Sequence, residues 1–315
     1  LRRAFFFLAI LGPGLITASA DNDAPGIATY SMAGSTFGYS FLWILLWITV
    51  GEVVVQEMAA RMGAVTGKGL TDLIRERFGL RLTFLVFAGI LLANAGTTAA
   101  QFAGIASAAE LFGVSRYIAV PVAAFAIWLL VTRGSYQRVE KVLLVLSLYA
   151  VAYVASAVLA RPPWGVVLQR TLVPTFQSDT RYVLAVLATI GTTITPWAAV
   201  YMQASVADKG ITMATYRNTR WDVIIGAAVG NVVSGFIIIA TAATLFVRGI
   251  QVETAAQAAM ALAPVAGLWA EALFGIGLLG ASLLAASVLP LATTYAVCEV
   301  FGWERGIDRS TGEAP

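Results

Sequence analysis

Residues 12–30 read GPGLITASADNDAPGIATY. Two carboxylates, Asp21 and Asp23, fall inside the first long apolar stretch, and Pro25 and Gly26 follow them at once. A charge at bilayer depth costs about 2.5–3.5 kcal/mol on insertion scales, so such a residue is usually paired or functional. A helix interrupted at that depth must bury its freed N–H and C=O groups in protein or present them to a cavity. Carboxylates beside unwound carbonyls make an all-oxygen cation site. The simpler alternative is that Asp23 caps the half-helix starting near Pro25, its charge against the positive end of the dipole. That alternative explains one carboxylate better than two.

The rest of the chain says what kind of solvent surrounds this stretch. Of its 315 residues, 59% are hydrophobic and 12% charged, and the mean hydropathy is +0.83. A soluble domain carries about 25% charged residues, so the composition is that of an all-α integral membrane protein. The net charge of +3 says little about partners, because its distribution is what matters. The single Cys298 excludes an intrachain disulfide and any Cys-rich metal site. The absence of His excludes His-based zinc sites, general bases and proton relays. No nucleophile–base couple suggests an enzyme, and neither a cofactor nor a nucleic-acid partner is expected. The chain opens LRRAFFF without Met, so its true start is expected upstream. The first span lacks a convincing small-residue cleavage site and is not read as a signal peptide.

Window hydropathy predicts eight spans, at about 4–33 (broken near 21–26), 39–62, 81–108, 115–133, 137–160, 180–207, 220–247 and 265–301. A short polar helix is predicted at 71–79, a loop at 161–179, and a fraying polar tail at 302–315. With the N-terminus cytoplasmic, fifteen of the 20 Lys and Arg fall on cytoplasmic segments. That bias fits the positive-inside rule with both termini inside.

The sixth span repeats the oddity of the first. Gly191 through Pro196 interrupt an apolar run at mid-depth, with Thr192, Thr193 and Thr195 between. Taken alone, this is a Pro-kinked helix whose Thr hydroxyls bond back to the backbone. Paired with the first span, it is the second half of a transporter site, since interruptions at corresponding positions of two halves point to a repeat interface. Five spans per repeat need ten. The expectation is therefore one domain over 1–315, with a first repeat at 1–160, a partial second repeat at 180–301, and a chain that is a fragment or truncated product.

Other motifs have plainer explanations. Gly275, Gly277 and Gly280 match GxGxxG but lie in an apolar span without a preceding strand. They read as a small-residue packing face, as do Gly226, Gly230 and Ser234. Glu57 has Arg61 four residues on, an i,i+4 pair. Glu52 lies deeper and either pairs with a polar group of another span or touches a water-filled path. Asn94, Thr97, Thr98 and Gln101 either hydrate a vestibule or join helices.

The run GPGLITASADNDAPGIATYSMAGSTFGYSFLW (residues 12–43) resembles the first span and following turn of the NRAMP divalent-metal transporters. The likeness continues through QEMAARMGAVTGKGLTDLIRERFG (residues 56–79) and the broken sixth span, and more loosely to the end. The resemblance implies a LeuT-like inverted-repeat fold. The family's Asp-Pro-Gly-Asn run aligns with Asp23-Ala24-Pro25-Gly26, so the Asp is kept and the Asn position holds Gly26. The family's Met-Pro-His aligns with Thr195-Pro196-Trp197, and its third-span acids with a segment offering Thr97, Thr98 and Gln101. Thioether sulfur suits softer transition metals, whereas carboxylate, hydroxyl, carbonyl and water suit Mg²⁺. The departures resemble those of the NRAMP-related magnesium transporters.

The resemblance thus implies alternating-access import of Mg²⁺, with Mn²⁺ accepted, across a bacterial plasma membrane and without proton coupling. Asp23 would be the anionic ligand, the carbonyls of Ala20 and Thr192 would line the site, and Thr195 would offer its hydroxyl. Asp21 would strengthen the negative field or hold a water. Gly26, Gln101 and Trp197 would line the site, Trp197 closing the space left by the His. The alternatives are a proton-coupled Mn²⁺/Fe²⁺ importer, a LeuT-like organic-solute transporter, and a non-transporting protein or inactive fragment. Oligomeric state is open.

Overall fold

The computed structural model describes residues 13–133, 136–266 and 268–304. The start of the first span, 4–12, and the tail from 305 on lie outside them. In chain order the helices are α1 (Pro13–Ala20), α2 (Ala24–Phe37), α3 (Leu42–Thr66), α4 (Leu70–Leu111), α5 (Arg116–Arg133), α6 (Tyr136–Leu146), α7 (Tyr149–Leu159), α8 (Trp164–Leu172), α9 (Thr180–Thr193), α10 (Pro196–Asp208), α11 (Tyr216–Thr244), α12 (Ala255–Ala266) and α13 (Leu268–Phe301). No strand occurs among the described residues. Among the described residues, six segments are long and apolar enough to cross a membrane: Ala24–Thr66, Leu70–Leu111, Val139–Leu159, Thr180–Asp208, Tyr216–Arg248 and Trp269–Phe301. The fourth expected span is the shorter apolar helix Arg116–Thr132.

Both expected interruptions are present. The chain leaves helix after Ala20 and resumes at Ala24, and it leaves helix after Thr193 and resumes at Pro196. The polar helix expected at 71–79 forms the first part of α4, and Gly79, with a non-helical φ of 78° and ψ of 173°, kinks it away from the span that follows. One local expectation changes. The segment read as a loop at 161–179 contains α8, which packs on α3 and buries Val167. Its apolar residues recur at helical spacing over only nine positions, too few for a window sized to a membrane span.

Packing rests on small residues, because lipid tails are as apolar as leucine and give no hydrophobic drive between helices. The central layer sets α13 along α4 and α11 across α1, α2 and α3. A Cβ on Gly277 would stand 2.6 Å from the Tyr153 ring, and one on Gly280 2.6 Å from Tyr149 Cβ. Gly277 and Gly280 thus pack toward α7, while Gly275 meets Leu111 and Phe112 at the end of α4. A Cβ on Gly230 would likewise stand 2.8 Å from the Ala18 carbonyl oxygen. The Glu57–Arg61 pair forms at 3.5 Å.

The two ends of the bundle differ. At the end carrying Phe37 and Arg181, a cavity of about 980 Å³ opens between α2, α9 and the 250–260 segment, lined by Met32, Phe37, Ala185, Ala188 and Gln257 among others. A smaller void of about 220 Å³ reaches Ala24 and Pro25 beside α4 and α12. At the opposite end three side-chain contacts join neighbouring segments. Lys209 pairs with Glu140 at 2.6 Å, the Tyr295 hydroxyl donates to Asp208 at 2.9 Å, and Gln203 Nε2 donates to the Lys68 carbonyl at 3.0 Å.

Candidate functional site

The site is built where α1 and α2 part. The three residues between them point in three directions, and each is held by a different part of the bundle. Asp23 adopts extended backbone and caps α2, its Oδ1 accepting from Gly26 N at 2.8 Å. Its Oδ2 accepts from Gln101 Nε2 of α4 at 2.7 Å. Gln101 returns the contact, its Oε1 accepting from Ala24 N at 3.0 Å. One amide therefore satisfies both the carboxylate and one of the orphan donors of the new helix. Asn22 turns to α11: its Nδ2 donates to the Gly230 carbonyl at 2.8 Å, and its Oδ1 accepts from the Ser234 hydroxyl at 2.6 Å. The Asp21 carboxylate faces α10 and α3, accepting from Thr195 Oγ1 at 3.1 Å and Gln56 Nε2 at 3.3 Å. Asp21, Asn22 and Asp23 are all at most 5% exposed.

The second interruption meets the first. Thr195 is extended ahead of Pro196, which opens α10 at a first-turn position, as a pre-proline residue and an N-terminal proline should be. Thr189 and Thr193 do bond back to their own helix, at 2.8 Å each. Thr195 does not. Its hydroxyl makes no cap and goes instead to Asp21. Tyr30 of α2 and Thr193 of α9 share a hydrogen bond of 2.7 Å, which holds the two half-helices side by side. Tyr149 donates to the Ser19 carbonyl at 2.6 Å, closing the last turn of α1.

Between these parts three oxygens converge on Gly26. A Cβ at Gly26 would stand 2.9 Å from the Asp21 carbonyl oxygen, 3.2 Å from Asp23 Oδ1 and 3.4 Å from Thr192 Oγ1. The expected residues Asp21, Asp23, Thr192 and Gly26 thus converge. Thr192 contributes its hydroxyl. Ala20 ends α1 at the same break and is fully buried. Gln101 is completely buried beneath Asp23. Trp197 is buried in the main core at the start of α10. Glu52 lies beyond Asp21, linked to it through Gln56.

Several partners carried no sequence signal strong enough to single them out. Asn22, Gln56 and Asn231 are polar residues in apolar spans, a signal they share with residues that only join helices, and Ser234 read only as part of a packing face. Asp222 was equally silent. Its carboxylate accepts from Gly14 N at 2.7 Å and Leu15 N at 3.4 Å, capping the start of α1 from 208 residues away.

The model of the Nramp family, natural resistance-associated macrophage protein-like, matches residues 14–313. The chain is 32% identical over 283 residues to the divalent metal cation transporter MntH of Erwinia tasmaniensis and 30% identical over the same length to MntH of Klebsiella pneumoniae subsp. pneumoniae. Each match covers 87% of this chain and 68% of the relative. The fold is similar to that of the manganese transporter of Eremococcus coleocola, solved in complex with an aromatic bis-isothiourea compound. The TM-score there is 0.78 at 22% identity, covering 96% of this chain and 67% of that one. The chain therefore spans about two thirds of the length of the relatives it matches.

Proposed function

This chain belongs to the Nramp family, and on that premise we propose that it carries a divalent metal cation across the membrane past the oxygens that converge on Gly26. The observation that supports this most is the convergence of a carboxylate, a backbone carbonyl and a hydroxyl on one point at two facing helix breaks. An all-oxygen set suits a hard cation such as Mg²⁺. We take Mg²⁺ as the principal cargo and Mn²⁺ as a second. The relatives, named as divalent metal cation and manganese transporters, favour Mn²⁺, so this preference rests on the chain's own departures at Gly26 and Thr195.

In this scheme Asp23 supplies the anionic ligand, Thr192 and the Ala20 and Asp21 carbonyls line the site, and the Thr195 hydroxyl stands where the family offers sulfur. The Asp21 carboxylate adds negative field. Gln101 holds Asp23 in place, and Trp197 fills the space of the missing imidazole. The open end at Phe37 is external and the end at Lys209 cytoplasmic, in line with the positive charges and with eight spans in a partial inverted repeat. With neutral residues where the family carries third-span acids, no proton is moved. The membrane potential, about 2.3 kcal/mol per charge per 100 mV, drives the ion inward.

The test is uptake into proteoliposomes at a set inside-negative potential, with a pH dye inside. Mg²⁺ uptake without acidification is expected. Mn²⁺ uptake with acidification and no Mg²⁺ flux would transfer the function to a proton-coupled Mn²⁺ importer, and no flux of either ion would remove the transport reading. Two variants refine the site. Gly26→Ala puts a methyl among the three oxygens and is expected to weaken Mg²⁺ uptake about tenfold, or ~1.4 kcal/mol; a neutral result would place the ion elsewhere. Thr195→Met is expected to raise Mn²⁺ and Cd²⁺ affinity relative to Mg²⁺, read from competition curves; unchanged curves would show that Thr195 does not face the ion.

A further inference from the structure

We propose that the carboxylates of Asp21 and Glu52, together with the amide oxygens of Gln56 and Asn231, form a second site for a hard divalent cation, beside the site at Gly26. Asp21 belongs to both places: its backbone carbonyl faces Gly26, while its carboxylate turns away toward Gln56.

The cluster is buried and short of positive charge. Asp21 is 3% exposed, Glu52 2%, Gln56 2% and Asn231 5%. Gln56 Nε2 bridges the carboxylates, donating to Asp21 Oδ2 at 3.3 Å and Glu52 Oε1 at 2.7 Å. Asn231 Nδ2 donates to Glu52 Oε2 and to the Ala227 carbonyl. Thr195 supplies the remaining donor to Asp21. Among the described residues, no ion pair with Lys or Arg reaches either acid. Two buried carboxylates without a cationic partner are costly.

The second observation is independent of the acids. Gln56 Oε1 and Asn231 Oδ1 are both buried and accept no hydrogen bond. Orphaned acceptors at such depth are rare and call for an explanation. Each belongs to an amide whose nitrogen already touches Glu52. The oxygen and nitrogen of an amide exchange places by a half-turn that leaves the backbone unmoved, and their assignment follows from the surroundings. With a cation between the carboxylates, both amides would present oxygen, and the orphaned acceptors would become ligands. The resulting set is all oxygen, with two negative charges against a 2+ ion. Glu52 and Gln56 lie one turn apart on the same face of α3, Asn231 comes from α11 and Asp21 from the break. The ion would therefore fasten the break between α1 and α2 to α3 and α11.

The experiment counts Mn²⁺ bound per chain by equilibrium dialysis of the purified full chain in detergent. Wild type is expected to bind two ions. Glu52→Gln, close in shape but one charge poorer, is expected to bind one, and Asp23→Ala to lose the other. Asn231→Asp adds a third carboxylate and is expected to tighten the second site at least tenfold, a gain that misfolding cannot produce. If Glu52→Gln binds as many ions as wild type, and Asn231→Asp binds no tighter, the cluster is not a cation site and holds its charge with a proton instead. One ion in wild type, lost in Glu52→Gln and kept in Asp23→Ala, would support this site and sink the site at Gly26. One ion lost only in Asp23→Ala would do the reverse.

Discussion

Replacing Asp23 by Asn is expected to leave a folded protein whose divalent-cation uptake is slower by at least about a hundredfold, or ~2.7 kcal/mol. Asp23 has two separable duties. As the N-cap of α2, its Oδ1 holds Gly26 N; Asn caps as well as Asp, so that duty survives. The charge does not. The second oxygen also accepts from Gln101, and an amide nitrogen there would face another donor. Turning the Gln101 amide to suit it would expose Ala24 N to a donor in turn. The variant should therefore lose about 1–3 kcal/mol of stability for one unsatisfied group, seen as a modest fall in melting temperature. Asp23→Ala removes cap and charge together and should melt lower still. Transport by Asp23→Asn at the wild-type rate would mean that Asp23 only caps a helix, which was the open alternative for this residue from the start.

Gly226→Val is expected to destabilise the fold severely. At the crossing of α1 and α11 the two backbones touch. A Cβ on Gly226 would stand 2.5 Å from the Gly14 carbonyl carbon and oxygen, and one on Gly14 would stand 2.6 Å from the Asp222 carbonyl group. No side-chain rotamer relieves a clash with backbone, so the helices must separate. Separation breaks the Asp222 cap on Gly14 and Leu15 and, two turns on, the contacts of Asn22 with Gly230 and Ser234. Overpacking alone costs about 1–3 kcal/mol; with the cap lost as well, about 3 kcal/mol or more is at stake, a large part of a typical 5–15 kcal/mol total. Detergent-solubilised Gly226→Val should lose its monodisperse peak, or melt far below wild type. Gly89→Val is the control, because a Cβ at Gly89 meets nothing within 4 Å. Equal behaviour of the two variants would show that the crossing is not close-packed.

Much of this architecture is legible one residue at a time. Low charge and high hydropathy put the chain in a membrane. Asp21, Asp23, Pro25 and Gly26 in one apolar run, and Thr195-Pro196 in another, mark the two helix breaks, because proline and buried charge act on the backbone locally. The small-residue faces at Gly226–Ser234 and Gly275–Gly280 are visible for the same reason. What the sequence left open is direction and partnership. Nothing local says that Asp21 turns to Thr195 and Gln56 while Asp23, two residues on, turns to Gln101. Nor does it say that Asp222 caps a helix 208 residues away, or that Asn231 closes on Glu52. A short amphipathic helix such as α8 also escapes a window sized to the bilayer. Helical periodicity determines which face of a span a side chain occupies, and apolar composition determines that the face is buried. Which neighbour meets that face is decided by how closely the helices cross, and that follows from the joint packing of small residues on α1, α4, α7, α11 and α13.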